Sequence, residues 1–338
     1  MRIVPWLVAG TCLAATATFA QTPPTFEDVA RMIDLTDRQQ AAMRRGEIVA
    51  TGIDGDREDE LRAAVAVVVP TPLDLIERRV LNGFTIKNDP SVVAFGRLDG
   101  GGDPWAGVGF APDDRSNLRD LLNLDPDKDF NMAEAEADRL KAALDDVTLD
   151  DADAATRISA AYVALLKARH AAYVAGGLAG IAPYDYSDDA PDPAAGLGAQ
   201  TAAATRDLGP FLPDFVAVLN GYPQETRPDV AHRLYWIESD VEDRRTFLLA
   251  HLIVQRGSGH VAFAHRQFYV GRTYEALQVV ALALPVDEGT AVFWVNSTFT
   301  NKITGFFSGI ARSIGEGRIT ESMTQYFKAL EQARNRAQ

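Results

Sequence analysis

Five apolar runs crowd the last third of the chain, and the breaks between them are too short for a crossover. The runs are 232–239, 245–255, 260–270, 274–284 and 290–299, and only three to five residues separate each from the next. Parallel neighbours need a connection of a dozen or more residues, so these runs must pair antiparallel as a meander. An all-helical or doubly wound α/β chain is thereby excluded, and the predicted class is α+β.

The rest of the chain is read around that meander. Runs 47–53 and 60–69 flank Asp54-Gly55-Asp56, a hairpin signal. Run 91–98 is a third upstream strand, and the glycine-rich 105–110 is expected as a short edge strand. One helix is predicted over 26–45, with Thr36 and Gln39 as a capping pair and Gly46 as its stop. After Pro70-Thr71-Pro72 a second helix is expected, with Thr71 as N-cap and Pro72 in its first turn. Helical periodicity then runs through 132–144, 154–174 and 201–219. The chain closes on a long predicted helix over 303–336, kinked at Gly315-Glu-Gly317.

Composition enters through its unevenness. The chain has 338 residues and a net charge of -14, with 16 acidic against five basic residues in the window 99–153. The expected organisation is a signal peptide over 1–20, a helical segment over 21–46 and the first β part over 47–110. An acidic helical insertion over 111–225 follows, then the meander and terminal helix over 226–338. The acidic balance argues against a nucleic-acid partner and against docking on anionic lipid head groups. Met1 to Ala20 has a basic start, an apolar stretch and small residues before Gln21, the pattern of a cleaved secretory signal. The single cysteine, Cys12, lies inside that stretch, so neither a disulfide framework nor cysteine chemistry is expected. The expected location is exported, periplasmic or secreted, with no stable membrane span after signal removal.

The order of elements resembles the START-like helix-grip (SRPBCC) superfamily, within a group of uncharacterised exported bacterial proteins. Val65-Ala-Val-Val-Val-Pro-Thr-Pro-Leu-Asp-Leu-Ile-Glu-Arg-Arg79 looks like that superfamily's first strand running into its first helix. The stretch 290–330 looks like its last strand and grip helix. The resemblance covers about 47–110 and 230–336, skips the helical insertion, and implies a curved antiparallel sheet gripping a long C-terminal helix. It implies no catalytic signature.

Candidate sites follow from polar and aromatic residues set among apolar ones. His251 and His265 lie in consecutive strands round the Gly257-Ser258-Gly259 turn and are expected nearly opposite each other, as acid/base or metal candidates. Arg97, Trp236, Gln278, Trp294, Asn296 and Phe307 are the candidates to line a cavity between sheet and helix. Asp125, Asp127, Asp129, Asn131 and Glu136 have the spacing of a calcium loop, but Phe130 stands where the sharp turn wants glycine, so an acidic helix start is the favoured reading. No cofactor is expected. The glycines at 305, 309, 315 and 317 are expected to allow close helix–sheet packing. These features favour an exported binding protein for a hydrophobic small molecule or lipid. The alternatives are a cavity-based acid/base enzyme using the strand histidines, or an envelope structural or adaptor protein with the insertion as its partner face.

Overall fold

The computed structural model describes residues 23–332, apart from 56, 126–129, 188–189, 242–243, 302–316, 318–319, 322, 326 and 330. It is an α+β fold around one eight-stranded, wholly antiparallel sheet, in the order β1-β2-β8-β7-β6-β5-β4-β3. The meander is β4 (Val230–Val241), β5 (Arg244–Gly257), β6 (His260–Val270), β7 (Ala276–Val286) and β8 (Gly289–Phe299), as the short breaks demand. The upstream hairpin forms as β1 (Val49–Ile53) and β2 (Glu60–Val69), and β2 docks along β8 through its full length. β3 (Val92–Arg97) closes the far edge beside β4.

Helices cover both faces. α3 (Leu73–Leu81) and α4 (Phe84–Lys87) lie on one face. The other face, called the insert face below, carries α1 (Phe26–Met32), α2 (Asp37–Arg44), α5 (Arg115–Leu122), α6 (Glu134–Ala143), α7 (Ala154–Gly176), α8 (Pro193–Leu208) and α9 (Pro213–Gly221). Strand alternation sorts the side chains between them. Ala250, Leu252, Phe263, Ala281 and Trp294 face α3, whereas Leu249, Ile253, Ala264, Leu282 and Phe293 face the insert. In β6 a bulge leaves Phe268 without a partner opposite Leu249–Ala250, which turns both Phe268 and Tyr269 into the insert-face core.

Several local expectations are corrected. The predicted helix 26–45 is two helices, because Asp34 takes a left-handed φ of 55° between them. Thr36 and Gln39 do form a reciprocal capping box, at the start of α2. α3 starts after Pro72, not Thr71; Thr71 is buried and its carbonyl accepts from the Thr290 hydroxyl at 2.6 Å. Run 105–110 is a looped cover instead of an edge strand, with left-handed Gly107 and with the Phe110 amide donating to the Ser159 hydroxyl. The predicted helix 201–219 is split into α8 and α9 near Pro210 and Pro213. α7 does bury the predicted stripe of Ile158, Tyr162, Leu165, Leu166 and Tyr173.

The terminal helix falls partly outside the described residues. Residues 317, 320–321, 323–325, 327–329 and 331–332 are helical, and a long C-terminal helix is not shown. Met323 and Phe327 are buried on the α3 side, with the Phe327 ring edge-on to Trp294 at 5.6 Å. At Gly317 a side chain would meet none of the described residues within 4 Å, and Gly305, Gly309 and Gly315 lie outside the described residues. Close approach is found elsewhere. A Cβ on Gly196 of α8 would fall 2.6 Å from the Phe299 ring, so glycine lets α8 lie directly on β8.

Candidate functional site

Strand register builds a belt of polar side chains across the insert face. His251 of β5 stands opposite Arg266 of β6, Arg266 opposite Gln278 of β7, Gln278 opposite Ser297 of β8, and Ser297 opposite Arg62 of β2. All five are buried, and the belt separates the apolar core under α5–α7 from the one under α1, α2, α8 and α9. Buried polar groups need partners, and the covering helices supply them. Fully buried Arg266 donates to the Gln278 side-chain oxygen at 2.9 Å, the Tyr173 hydroxyl at 3.4 Å, and the Thr201 hydroxyl and Leu219 carbonyl at 3.0 Å each. Each of these four acceptors is neutral.

Arginine only donates, so the Tyr173 hydroxyl accepts from Arg266. The same hydroxyl is hydrogen-bonded to His251 Nδ1, 2.8 Å away. His251 Nε2 and His232 Nδ1 share the next hydrogen bond, at 2.9 Å. Rings enclose the chain: Tyr173 stacks on Phe268 at 3.8 Å, and Tyr222 lies 4.4 Å from His251. Burial, reinforced by the neighbouring His232 ring and the Arg266 charge, holds the His251 pKa well below the usual range. Burial likewise lowers His232 and pushes Tyr222 up to about 12. The belt therefore sets two imidazoles, kept neutral by burial, one tyrosine away from a buried cation.

Two cavities flank the sheet. The one on the α3 side has a volume of about 290 Å³ and is lined by Val67, Val69, Ile76, Phe84, Phe263, Val292, Trp294 and Phe327, with Arg45, Arg79, Thr85 and Glu331 among its polar neighbours. Arg45 donates to Glu47, and Arg79 sets its guanidinium 5.2 Å over the Phe84 ring. The cavity on the insert face measures about 230 Å³ and opens where α1 and α8 part above β7, β8 and β2. Its wall includes Gln278, Ser297 and Arg62, the end of the belt, together with Gln200 of α8. Neither cavity is lined by His232 or His251.

The predicted site residues scatter between these places. His251 and His265 are not opposite each other: His265 pairs with Leu252, so the two histidines point to opposite faces. Only half-buried overall, His265 has an enclosed ring whose pKa burial lowers to about 4. Trp294 lines the α3-side cavity, and Gln278 the insert-side one. Trp236 lies under the 105–110 cover and donates to the Pro104 carbonyl, and Arg97 is exposed at the sheet edge, paired with Asp99. Asn296 accepts from the Thr298 hydroxyl, and Phe307 is outside the described residues.

Of the calcium-spaced residues, Asn131 donates to the Val270 and Tyr274 carbonyls, and Glu136 forms a buried pair with Arg169 at 2.5 Å while accepting from the Ala133 amide. Asp127 and Asp129 lie outside the described residues, and Asp125 is partly buried. Among the described residues no group of three or more His, Cys, Asp or Glu could hold a metal ion, and no helix is long and apolar enough to cross a membrane. Sequence reasoning missed Arg62, Gln200, Tyr173, Tyr222 and His232. The signal for Arg62 was present, a charge set between Leu61 and the apolar run 63–69 of its strand; the helix residues carried none. Comparisons with protein-family models, with curated proteins and with solved structures found no match to this chain.

Proposed function

We propose that the chain is an exported helix-grip protein that binds a hydrophobic small molecule or lipid in the cavity between the sheet and α3. The observation that carries this reading is the cavity itself: about 290 Å³, walled by aliphatic and aromatic side chains from β2, β8, α3 and the helical residue Phe327. That volume lies at the lower end of the range for small-molecule pockets. The adjacency of β2 and β8, with α3 following β2, supports the grip arrangement. An acidic head group would lie beside Arg79, where a cation meets the apolar lining. The insertion supports the adaptor alternative less well, since Val174 is its one exposed large apolar side chain among the described residues.

Titration with decanoate tests the proposal. Saturable heat in calorimetry and a change in Trp294 emission are expected, and Trp294→Phe should remove the optical change while the heat remains. Arg79→Gln should weaken decanoate about tenfold and leave decanol unaffected. A protein that gives no saturable heat with either probe, and yields no apolar molecule on solvent extraction, is not such a carrier.

A further inference from the structure

The cavity on the insert face has a different chemistry from its counterpart: two amide side chains of its lining carry buried polar atoms without protein partners. Gln200 is 3% exposed, and neither its side-chain nitrogen nor its oxygen has a hydrogen-bond partner. Gln278 is 1% exposed; its oxygen is held by Arg266, which leaves its NH2 group turned away from the guanidinium and also without a partner. Both amides line the same cavity, whose apolar wall includes Val29, Ile33, Phe293 and Val295. An unpartnered buried amide is destabilising, so two in one small cavity need an explanation other than packing.

The available atoms specify the missing partner. Gln278 offers a donor, and the cation bound to its oxygen polarises that donor. Gln200 offers a donor and an acceptor on one planar group. Ser297 adds a hydroxyl at the floor. The two arginines of the lining are balanced in charge by carboxylates: Arg62 lies 3.5 Å from Asp207 and 4.0 Å from Glu60, Arg206 lies 3.4 Å from Asp207, and Asp54 lines the same cavity, while the Arg62 Nε keeps one donor without a hydrogen-bond partner. A carboxylate ligand would therefore face the Gln200 oxygen and the Asp207 and Asp54 side of the cavity with no surplus cation of its own. A neutral group with a carbonyl beside an N–H has the complementary edge, because its oxygen can accept from Gln278 and Gln200 while its N–H donates to the Gln200 oxygen.

We infer that this cavity is a second binding site, specific for a small uncharged amide such as a lactam or a cyclic ureide with a short apolar body. It lies across the sheet from the hydrophobic-ligand cavity and does not depend on that reading. The probes are δ-valerolactam and dihydrouracil, with cyclohexanecarboxylate as the charged comparison, each followed by calorimetry and by protein-observed NMR. Saturable binding of at least one amide probe is expected, with shifts confined to α1, α8, β7 and β8, and with decanoate failing to displace it. Gln200→Leu removes only unpartnered atoms, so the variant should fold with a raised thermal midpoint and bind the amide about tenfold or more weakly. Gln278→Asn supplies a second variant, weakening the amide by pulling the donor back. The inference is overturned if neither amide binds saturably, if cyclohexanecarboxylate binds more tightly than both, or if Gln200→Leu leaves amide affinity unchanged.

Discussion

The two faces of one sheet handle burial in opposite ways. On the α3 side, around Val67, Phe263, Val292 and Trp294, the lining is apolar and leaves a void. On the insert face, a row from His251 to Arg62 must find hydrogen-bond partners, and three helices bring them: Tyr173 from α7, Thr201 from α8 and the Leu219 carbonyl from α9. An apolar wall constrains its cover only by shape, so it tolerates a gap. A polar belt constrains its cover by atom, so the helices above it must sit in one position. Positional specificity in this molecule therefore resides on the insert face.

The largest test of that contrast is Arg266→Ala. It removes the cation and leaves the Tyr173 hydroxyl, the Gln278 oxygen, the Thr201 hydroxyl and the Leu219 carbonyl short of a donor. We expect a loss of about 3–5 kcal/mol in urea denaturation, from unsatisfied buried acceptors at about 1–3 kcal/mol each and from the cavity the side chain leaves. Arg266→Met keeps the volume and tests the specificity claim separately. If it is as stable as wild type and the amides of α7, α8 and α9 keep their NMR positions, the belt does not place the helices.

Gly196 comes next. A methyl there would press on the Phe299 ring at 2.6 Å, so Gly196→Ala should destabilise by about 1–3 kcal/mol through overpacking. A methyl at Gly198, two residues along the same helix, would have nothing within 4 Å, and Gly198→Ala should stabilise by about 0.5–1 kcal/mol. Equal effects at the two positions would mean that α8 does not lie on β8 as closely as described.

The histidines give the third effect. The pKa values of His170, His232, His251, His260 and His265 are all lowered, with burial as the largest cause in each. Below the ordinary value of 6.5 the unfolded chain takes up protons that the folded one refuses. Stability is therefore full above that pH and falls as pH drops toward the folded pKa values. Fully buried His251 alone should contribute about 1.4 kcal/mol per pH unit in that window. Chemical denaturation from pH 7 down to about 5 checks the slope, and His251→Asn and His265→Asn should each flatten it by a similar amount, because burial keeps both folded imidazoles neutral through that window. An unchanged slope in the His251 variant would show that the belt is not the proton-sensitive element.

Much of the sheet was legible in the sequence, and the belt was not. Short breaks and period-two alternation located all five meander strands within a few residues of their observed ends, because those signals are local. Alternation also puts Arg266 on the face away from His265 and Gln267. What alternation alone cannot supply is register: it suggests His251 and His265 as opposite neighbours, whereas a two-residue turn at Ser258–Gly259 sets His251 against Arg266 instead. Gln278 stands out as a polar residue in an apolar strand, yet its cavity lies on the insert face, because the side a strand presents depends on which helices cover it. Gln200 looks like any helix-surface glutamine until α8 is laid over β7. The break between α8 and α9 falls at Gly209-Pro210 and Pro213, helix breakers that the helical reading of 201–219 passes over, whereas the left-handed Asp34 carries no such signal.

The smallest effect bears on the α3 side. Val292 forms part of the cavity wall, whereas Val279, on the same face, packs in the core without lining the cavity. Truncating a side chain beside an existing void removes contacts from one side only, since the other side had none to lose. Val292→Ala should therefore cost about 1 kcal/mol, against about 2 kcal/mol or more for Val279→Ala, where a new void opens in packed surroundings. Saturating decanoate should widen the gap between Val292→Ala and wild type, because the bound chain touches the open side of Val292 and the shorter side chain gives up those contacts as well. Equal losses for the two truncations, with no response to decanoate, would mean that this wall is packed in solution, and the apolar-ligand reading of this face would fall with it.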